Sequence, residues 1–475
     1  MIERGKLHII IRLKKMVEFW RFYGIKGFLY KCWEKAVIDP RRYSSGHGKV
    51  PDLYSFNGKS TPAPKIKAAK PMEIWYLIHF FFPEKKGGTE RFVLNMAQTQ
   101  QSFGHQVRVI TFEMKPIKAY DQYTDGILWR EYDVQGVSVI AIRYRHTPVG
   151  LYYKRIDEDD PALTAFTHML FAKKRPDVVH CAYGQPMAAF LKVCRQQNIP
   201  YLMTLTDFNS LCHYTTMIDT KGCFCSGSKR GHQCQKICRT YGIKDYSERW
   251  KQAERYLFGA AYVTVPSEFV AKVVGTDFDG LSTIVIPHGV SLPLRGQVQH
   301  GPIQRFAYVG TLTEMKGIPL LLRAFQFLPE DCSLDVYGEG NAEYTAHLQQ
   351  LSAHDARIRF QGSLPPKKIW EAYASSDCVV IPSLWPETYN FVLREALQSG
   401  CLVVAARIGA MSEAIKEGEN GFLFTPGDQG DLLRVLYTSL EFDWTKYKRS
   451  YFPSVKEEGR QYENLYIHSI LQQSE

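Results

Sequence analysis

The chain has 475 residues, 45% hydrophobic and 23% charged, with a formal net charge of +11. Those proportions exclude a disordered or collagen-like chain and leave room for two or three domains of ordinary size. No apolar run approaches the roughly 20 residues that a membrane-spanning helix needs, and the opening MIERGKLHIIIRLKKMVEFW has only a short apolar patch cut by charges, which does not read as an export signal.

The charge is uneven. Residues 1–45 form a basic amphipathic segment in which Arg4, Lys6, Arg12, Lys14, Lys15 and six further cations face four acids and interleave with Trp20, Phe22, Tyr23, Tyr30 and Trp33. That mixture suits a helix lying on an anionic membrane surface. Packing against the main body is the plainer alternative, and nucleic acid fits least. Residues 46–71, rich in Ser, Gly, Pro and Lys, read as a linker. From 72 to 290, apolar runs at 73–82, 106–112, 137–144, 177–183, 200–206 and 261–266 are expected strands, with helical patterns at 89–103 and 186–197 among them. Strands alternating with helices make βαβ units and a parallel sheet. A hinge is expected near 285–303. A second set, 300–445, has strand-like runs at 304–310, 333–338, 357–362, 377–383, 401–406 and 421–424, separated by helical stretches at 317–328, 342–353, 365–375 and 391–400. Residues 446–475 end in a helical pattern. Ligands of such sheets bind beyond the carboxyl ends of the strands, and two facing domains place the site in the cleft between them.

Three stretches carry chemistry. In 83-PEKKGGTERFV-93, Gly87 and Gly88 let backbone approach a ligand and Thr89 can cap the next helix, whose free amides attract anions. A plain turn explains the glycines equally well. In 309-VGTLTEMKGIPLLLRAF-325, Lys316 stands where a helix opens and can meet a phosphate there, or it is a solvated loop lysine. In 386-PETYNFVLREALQSG-400, Glu387 falls in the loop after a strand and Glu395 a little over one turn into the following helix. The amides of Tyr389, Asn390 and Phe391 would lie at that helix's N-terminus, where a diphosphate can sit. The apolar flanks bury the helix, and a buried carboxylate needs a partner.

These motifs come in one order with GHQV at 104–107, DVVH at 177–180, IPHGV at 286–290 and GAMSEAIKEGENGFLF at 409–424. Over roughly residues 72–470 the ordered set resembles the retaining, nucleotide-sugar-dependent glycosyltransferases of family four, of the bacterial envelope-polysaccharide type. The resemblance implies an α/β chain of GT-B fold, two facing Rossmann-like domains with a cleft between them. It implies an N-terminal acceptor domain and a C-terminal nucleotide-sugar domain, with the last helix returning to the first domain. It further implies that Lys316 meets the donor diphosphate, Glu395 the ribose, and Glu387 with Tyr389, Asn390 and Phe391 the transferred sugar. Gly87 and Gly88 would close over the donor, and Glu387 and Asp207 would be the catalytic positions. The implied donor is a UDP- or GDP-sugar, with no catalytic metal. The acceptor would be a glycan or lipid-linked hydroxyl in lipopolysaccharide or capsule synthesis, reached from the inner face of the cell membrane, with no nucleic acid involved. Thr311 stands where the family often has Arg, and Thr206-Asp207 where it often has His-Asp. The preferred chemistry is front-face attack, in which the donor phosphate takes the acceptor's proton; Glu387 as a covalent nucleophile is the runner-up. A nucleotide-sugar-binding scaffold without turnover and a nucleotide-sugar epimerase are the competing functions.

Five cysteines crowd 212–238. Four thiolates can close a structural zinc site, although the spacing is not that of paired Cys-x2-Cys. By likeness to an insertion in some family members, the zinc set would be Cys212, Cys225, Cys234 and Cys238, with Cys223 spare. Free thiols are the main alternative, ahead of an iron–sulfur cluster or disulfides, the last disfavoured by the reducing cytoplasm expected without an export signal.

Overall fold

The computed structural model describes residues 70–146, 157–239, 243, 245–291, 301–365 and 368–473. The basic segment 1–45, nearly all of the linker and residues 292–300 of the expected hinge lie outside the described residues.

The first domain is built on nine strands: β1 Glu73–Ile78, β2 Gln106–Phe112, β3 Gln122–Thr124, β4 Ile127–Val134, β5 Val137–Tyr144, β6 Val178–Cys181, β7 Tyr201–Thr204, β8 Tyr262–Val265 and β9 Thr283–Val285. They pair in the order β3-β4-β5-β2-β1-β6-β7-β8-β9. Every residue of β1 is buried, as a central parallel strand covered on both faces requires. The six expected runs are all strands, whereas β3, β4 and β9 carry no such signal. Strand β4, ILWREYDV, alternates after its third residue and pairs antiparallel with β5, so one side meets solvent and takes charges. Gln135 and Gly136, both at positive φ, close the hairpin.

The second sheet contains β10 Arg305–Val309, β11 Ser333–Tyr337, β12 Ile358–Gly362, β13 Cys378–Ile381, β14 Leu402–Ala406 and β15 Gly421–Phe424. All its pairings are parallel, in the order β12-β11-β10-β13-β14-β15. All six runs expected there are strands. The strand order reverses between β10 and β13, so the crevice of this doubly wound sheet opens beyond the ends of those two strands. The loop after β10 carries Lys316 and the loop after β13 carries Glu387; topology alone therefore brings together two residues 71 positions apart. In the first sheet the order reverses between β1 and β6, and the loop after β1 carries Gly87 and Gly88.

The last helix, Val455–Leu471, packs on the first domain. Its Tyr462, Leu465, Tyr466 and Ile467 share a buried cluster with Ile74, Tyr76 and Val107 of the first. Tyr466 and Tyr76 join hydroxyls at 3.0 Å, and His180 bridges Tyr466 and Thr204, at 2.6 Å on each ring nitrogen. Burial drives the His180 imidazole down to about 3, so the ring is neutral, with one nitrogen donating and the other accepting. The same helix supplies Glu458, whose two oxygens accept from His288 Nδ1 (2.9 Å) and the Gly289 amide (2.7 Å).

Candidate functional site

The loop from β13 to helix Phe391–Ser399 is held on three sides. Asn390 is the N-cap at φ +66°, and its side-chain oxygen accepts from the Leu393 amide at 3.0 Å. The protein thus uses one amide of that N-terminus itself. Arg394, buried, donates to the carbonyls of Tyr389 and Ala410. A Cβ on Gly409, at φ +64°, would lie 2.5 Å from the backbone of Glu387, so only glycine lets the two loops touch there.

Glu387 is 7% exposed. Its Oε1 accepts from Lys316 Nζ at 2.6 Å, Ser383 Oγ at 2.8 Å and the Trp385 indole at 3.0 Å. All three donors converge on one oxygen, so the other carries no protein donor among the described residues. Lys316 does not open the helix, as the sequence suggests; it ends a 3-10 turn, Glu314–Lys316, and Gly317 caps helix Ile318–Phe325. A Cβ on Gly317, at φ +68°, would fall 1.9 Å from the Pro382 carbonyl oxygen. The turn is pressed against the end of β13, and that contact aims Lys316 at Glu387.

The first domain supplies the opposite wall. Helix Gly88–Ser102 begins at Gly87, and the Glu90 carboxylate reaches back to accept from the Gly87 amide at 2.9 Å. Thr89 is therefore not the cap expected from sequence. Its hydroxyl shares a 2.7 Å hydrogen bond with that of Thr206 instead. A Cβ on Gly88 would be 3.7 Å from the Phe391 ring. One helical turn on, Arg91 stacks over the same ring, 4.8 Å from its centroid, and pairs with Glu395 Oε1. Tyr373 donates to Glu395 Oε2 at 2.8 Å. Glu395 is thus neither a surface residue nor a carboxylate awaiting its first partner, since both oxygens are engaged. Thr388 donates to the Thr206 carbonyl (2.7 Å), Ser267 to the Thr388 carbonyl (2.7 Å) and Tyr389 to the His288 carbonyl (2.5 Å), which tie the domains together around this loop.

Asp207 follows β7, and its Oδ1 accepts from the amide and side chain of Asn209 at 2.8 and 2.5 Å. Burial pushes its carboxyl up to about 6 against the opposing effect of Asn209. Burial also raises Glu90, with the charge of Asp207 adding to it. His79 stacks on Tyr183 at 3.8 Å and lies 3.9 Å from Glu90, its imidazole lowered to about 3 by burial and by Lys85. The sequence reading passed over His79, Tyr183, Glu90 and Arg91, although the last two lie inside the quoted GGTER. Spacing of three from Gly88 puts Arg91 on the glycine's face of the helix.

The raised Asp207 carboxyl has a consequence for stability. The folded state holds that proton more tightly than the unfolded one, so the group's contribution falls as pH rises from its ordinary range through about 6 and is flat above. Asp207→Asn is expected to gain on the wild type across that window and to show no further relative change above it. Urea midpoints at pH 4, 5, 6, 7 and 8 check this, and parallel curves would contradict it.

The four cysteines of the expected zinc set lie near one another, but their geometry is not that of a closed metal site. Among the described residues no group of three or more His, Cys, Asp or Glu is placed to hold a metal ion. Cys212, Cys225, Cys234 and Cys238 are near enough to feel one another's charge, yet each is a free thiol. Burial raises them all, Cys234 to about 12 and Cys238 to about 11, and the Cys225 thiol donates to the Gly227 carbonyl at 3.3 Å. Cys212 lies inside the first domain's core and Cys225 packs against it, half-buried. Asp277 also pins the loop, accepting from the amides of Ser228 and Lys229.

Residues 86–293 match the family model described as Glycosyltransferase Family 4, and residues 300–448 match Glycosyl transferases group 1. The sulfoquinovosyl transferase SQD2 of Arabidopsis thaliana is 38% identical over 136 residues, 28% of this chain and 26% of that protein. The match thus spans about a quarter of that relative's length. A phosphatidyl-myo-inositol mannosyltransferase of Mycobacterium leprae is 24% identical over 75% of this chain and 84% of its own. Among solved structures, Anabaena Alr3699/HepE in complex with UDP and glucose is 17% identical and superposes with a TM-score of 0.54, covering 84% of this chain and 98% of its own. The fold is GT-B: two Rossmann-like α/β domains, with the site described here between them.

Proposed function

We propose that this GT-B chain is a retaining glycosyltransferase that moves a sugar from a UDP- or GDP-sugar to a hydroxyl of a glycan or lipid-linked acceptor. The observation that carries the reading is the Lys316–Glu387 pair, set at the strand-order reversal of the second sheet and beside the N-terminus of helix Phe391–Ser399. A lysine and a helix N-terminus together favour a diphosphate. The second oxygen of Glu387 is then the acceptor for a sugar hydroxyl, with Ser383 and Trp385 fixing the carboxylate's orientation.

Front-face chemistry fits this site better than a covalent intermediate. Three donors on one carboxylate oxygen stabilise the charge and blunt its nucleophilicity, which suits orienting and electrostatic work. The donor's own phosphate takes the acceptor proton, and Lys316 with the helix amides stabilises the departing diphosphate without a metal ion. Asp207 and Glu90, close to one another on the first domain's side of the cleft, would face the acceptor. The likeness to a phosphatidyl-myo-inositol mannosyltransferase favours a lipid-linked, inositol-containing acceptor, and envelope polysaccharide is the other acceptor class that this reading admits. Residues 1–45 would bring the enzyme to the inner face of the membrane where such acceptors lie; among the described residues no helix is long and apolar enough to cross it.

Mixing the full chain with UDP-, GDP-, ADP- and dTDP-sugars and a membrane extract tests the proposal. The expected result is nucleoside diphosphate release with one donor and a product whose anomeric configuration, read by NMR, matches the donor's. Nucleotide binding without release from any donor would favour the scaffold. Interconversion of the sugar without release would favour the epimerase.

A further inference from the structure

We propose that Arg91 is a donor-binding residue that changes partner: it leaves Glu395 when a nucleotide's ribose arrives and turns its guanidinium onto the diphosphate. The inference rests on the donor site proposed above.

Arg91 belongs to the first domain but stands over the second. It projects from the first turn of helix Gly88–Ser102 onto Phe391, the first residue of helix Phe391–Ser399. Its side chain keeps 33% of its surface exposed, whereas that of the carboxylate it covers, Glu395, keeps 1%. The arrangement is a reachable cation lying as a cover on an unreachable anion.

Charge matching points the same way. Lys316 is already balanced by Glu387 and Arg91 by Glu395. Lys316 and Arg91 thus each face a carboxylate, and of the two only Arg91 can be freed by a ribose taking its place. Arg394, also in this loop, is buried and spends its guanidinium on the carbonyls of Tyr389 and Ala410. Glu395 cannot simply be abandoned, because a buried carboxylate stripped of its partner is strongly unfavourable. A ribose removes that obstacle: its hydroxyls donate to Oε1 in place of Arg91, while Tyr373 keeps Oε2. The released guanidinium is a planar fork whose geometry matches paired phosphate oxygens. Stacking on Phe391 lets it swing without leaving the helix N-terminus where those oxygens would lie.

The test compares a nucleoside diphosphate with its nucleoside. Wild type, Arg91→Gln and Arg91→Lys are titrated with UDP and uridine, and with GDP and guanosine, by calorimetry. For the base that binds, Arg91→Gln is expected to weaken the diphosphate about 10- to 100-fold, the scale of a lost charge-assisted hydrogen bond. Nucleoside affinity is expected to hold or rise, since a competitor for Glu395 has gone. Arg91→Lys, which preserves the ion pair and hence the fold, is expected to show a smaller loss confined to the diphosphate. A diphosphate-to-nucleoside affinity ratio equal to wild type in both variants overturns the inference while leaving the proposed function standing. Equal losses for both ligands make Arg91 a shaping residue and overturn it as well. A wild type that binds no nucleoside diphosphate overturns the proposed function, and this inference with it.

Discussion

Glu387→Gln is expected to lower sugar transfer on the order of 10²- to 10³-fold, the scale seen when one preorganised polar group is removed from a reacting centre. The amide keeps the size of the carboxylate and still offers an oxygen to Ser383 and Trp385, so the loop retains its shape. The negative charge beside Lys316 is lost. With Lys316 unbalanced, affinity for the nucleoside diphosphate should hold or rise while kcat falls. That opposition identifies the residue, because a loop that had merely collapsed would lose binding as well. Steady-state kcat and KM, nucleotide titration and a melting curve on the same preparation make the comparison. Transfer at the wild-type rate would remove Glu387 from the site. A covalent intermediate trapped on it would replace front-face chemistry with the double-displacement alternative.

Glu458→Ala is expected to cost about 3–5 kcal/mol, the range for breaking a buried pair by deleting one partner. The deletion leaves His288 Nδ1 and the Gly289 amide without their acceptor, both buried. The damage should also travel. The His288 carbonyl receives the Tyr389 hydroxyl, and the His288 ring stacks on Phe391 at 5.3 Å, so the donor loop loses its footing. A lower urea midpoint together with a higher KM for the nucleotide sugar is the expected pair of results, with Glu458→Gln intermediate in both. A midpoint equal to that of wild type would show that the pair contributes nothing to holding the last helix in place.

Much of this architecture is written in runs of like residues. Strands β1, β6, β7, β13 and β14 are short and buried on both faces, so each appears as a largely apolar run, while β11 and β12, nearer the sheet edge, carry Asp335, Arg359 and Gln361 and show a weaker version of the same signal. Strand β4 is hidden because one side faces water and its residues alternate in kind. The acids at 387 and 395 stood out because they sit astride a helix start in an apolar context. Their partners did not. Arg91 lies 304 positions from Glu395, and that pair exists only once the two domains face each other. The cysteines are an intermediate case: the crowding at 212–238 does bring Cys212, Cys225, Cys234 and Cys238 near one another, but sequence spacing does not fix the directions in which their sulfurs point.

The main chain crosses between the domains twice, and the two crossings run side by side. Val290 on the outward passage bridges Ser454 on the return, and its amide donates to the Pro453 carbonyl at 2.8 Å. In topological terms the second domain is an insertion within the first, entering and leaving through neighbouring points. This strap is the covalent part of the attachment; Thr388 on Thr206, Ser267 on Thr388 and Arg91 on Glu395 hold the domains across the cleft without a covalent link. The same strap is continuous with Glu458 and His288, so bending it acts on the ring beneath Phe391. The place where the chain passes between the domains and the footing of the donor loop are thus one structure, built on Glu458 and His288.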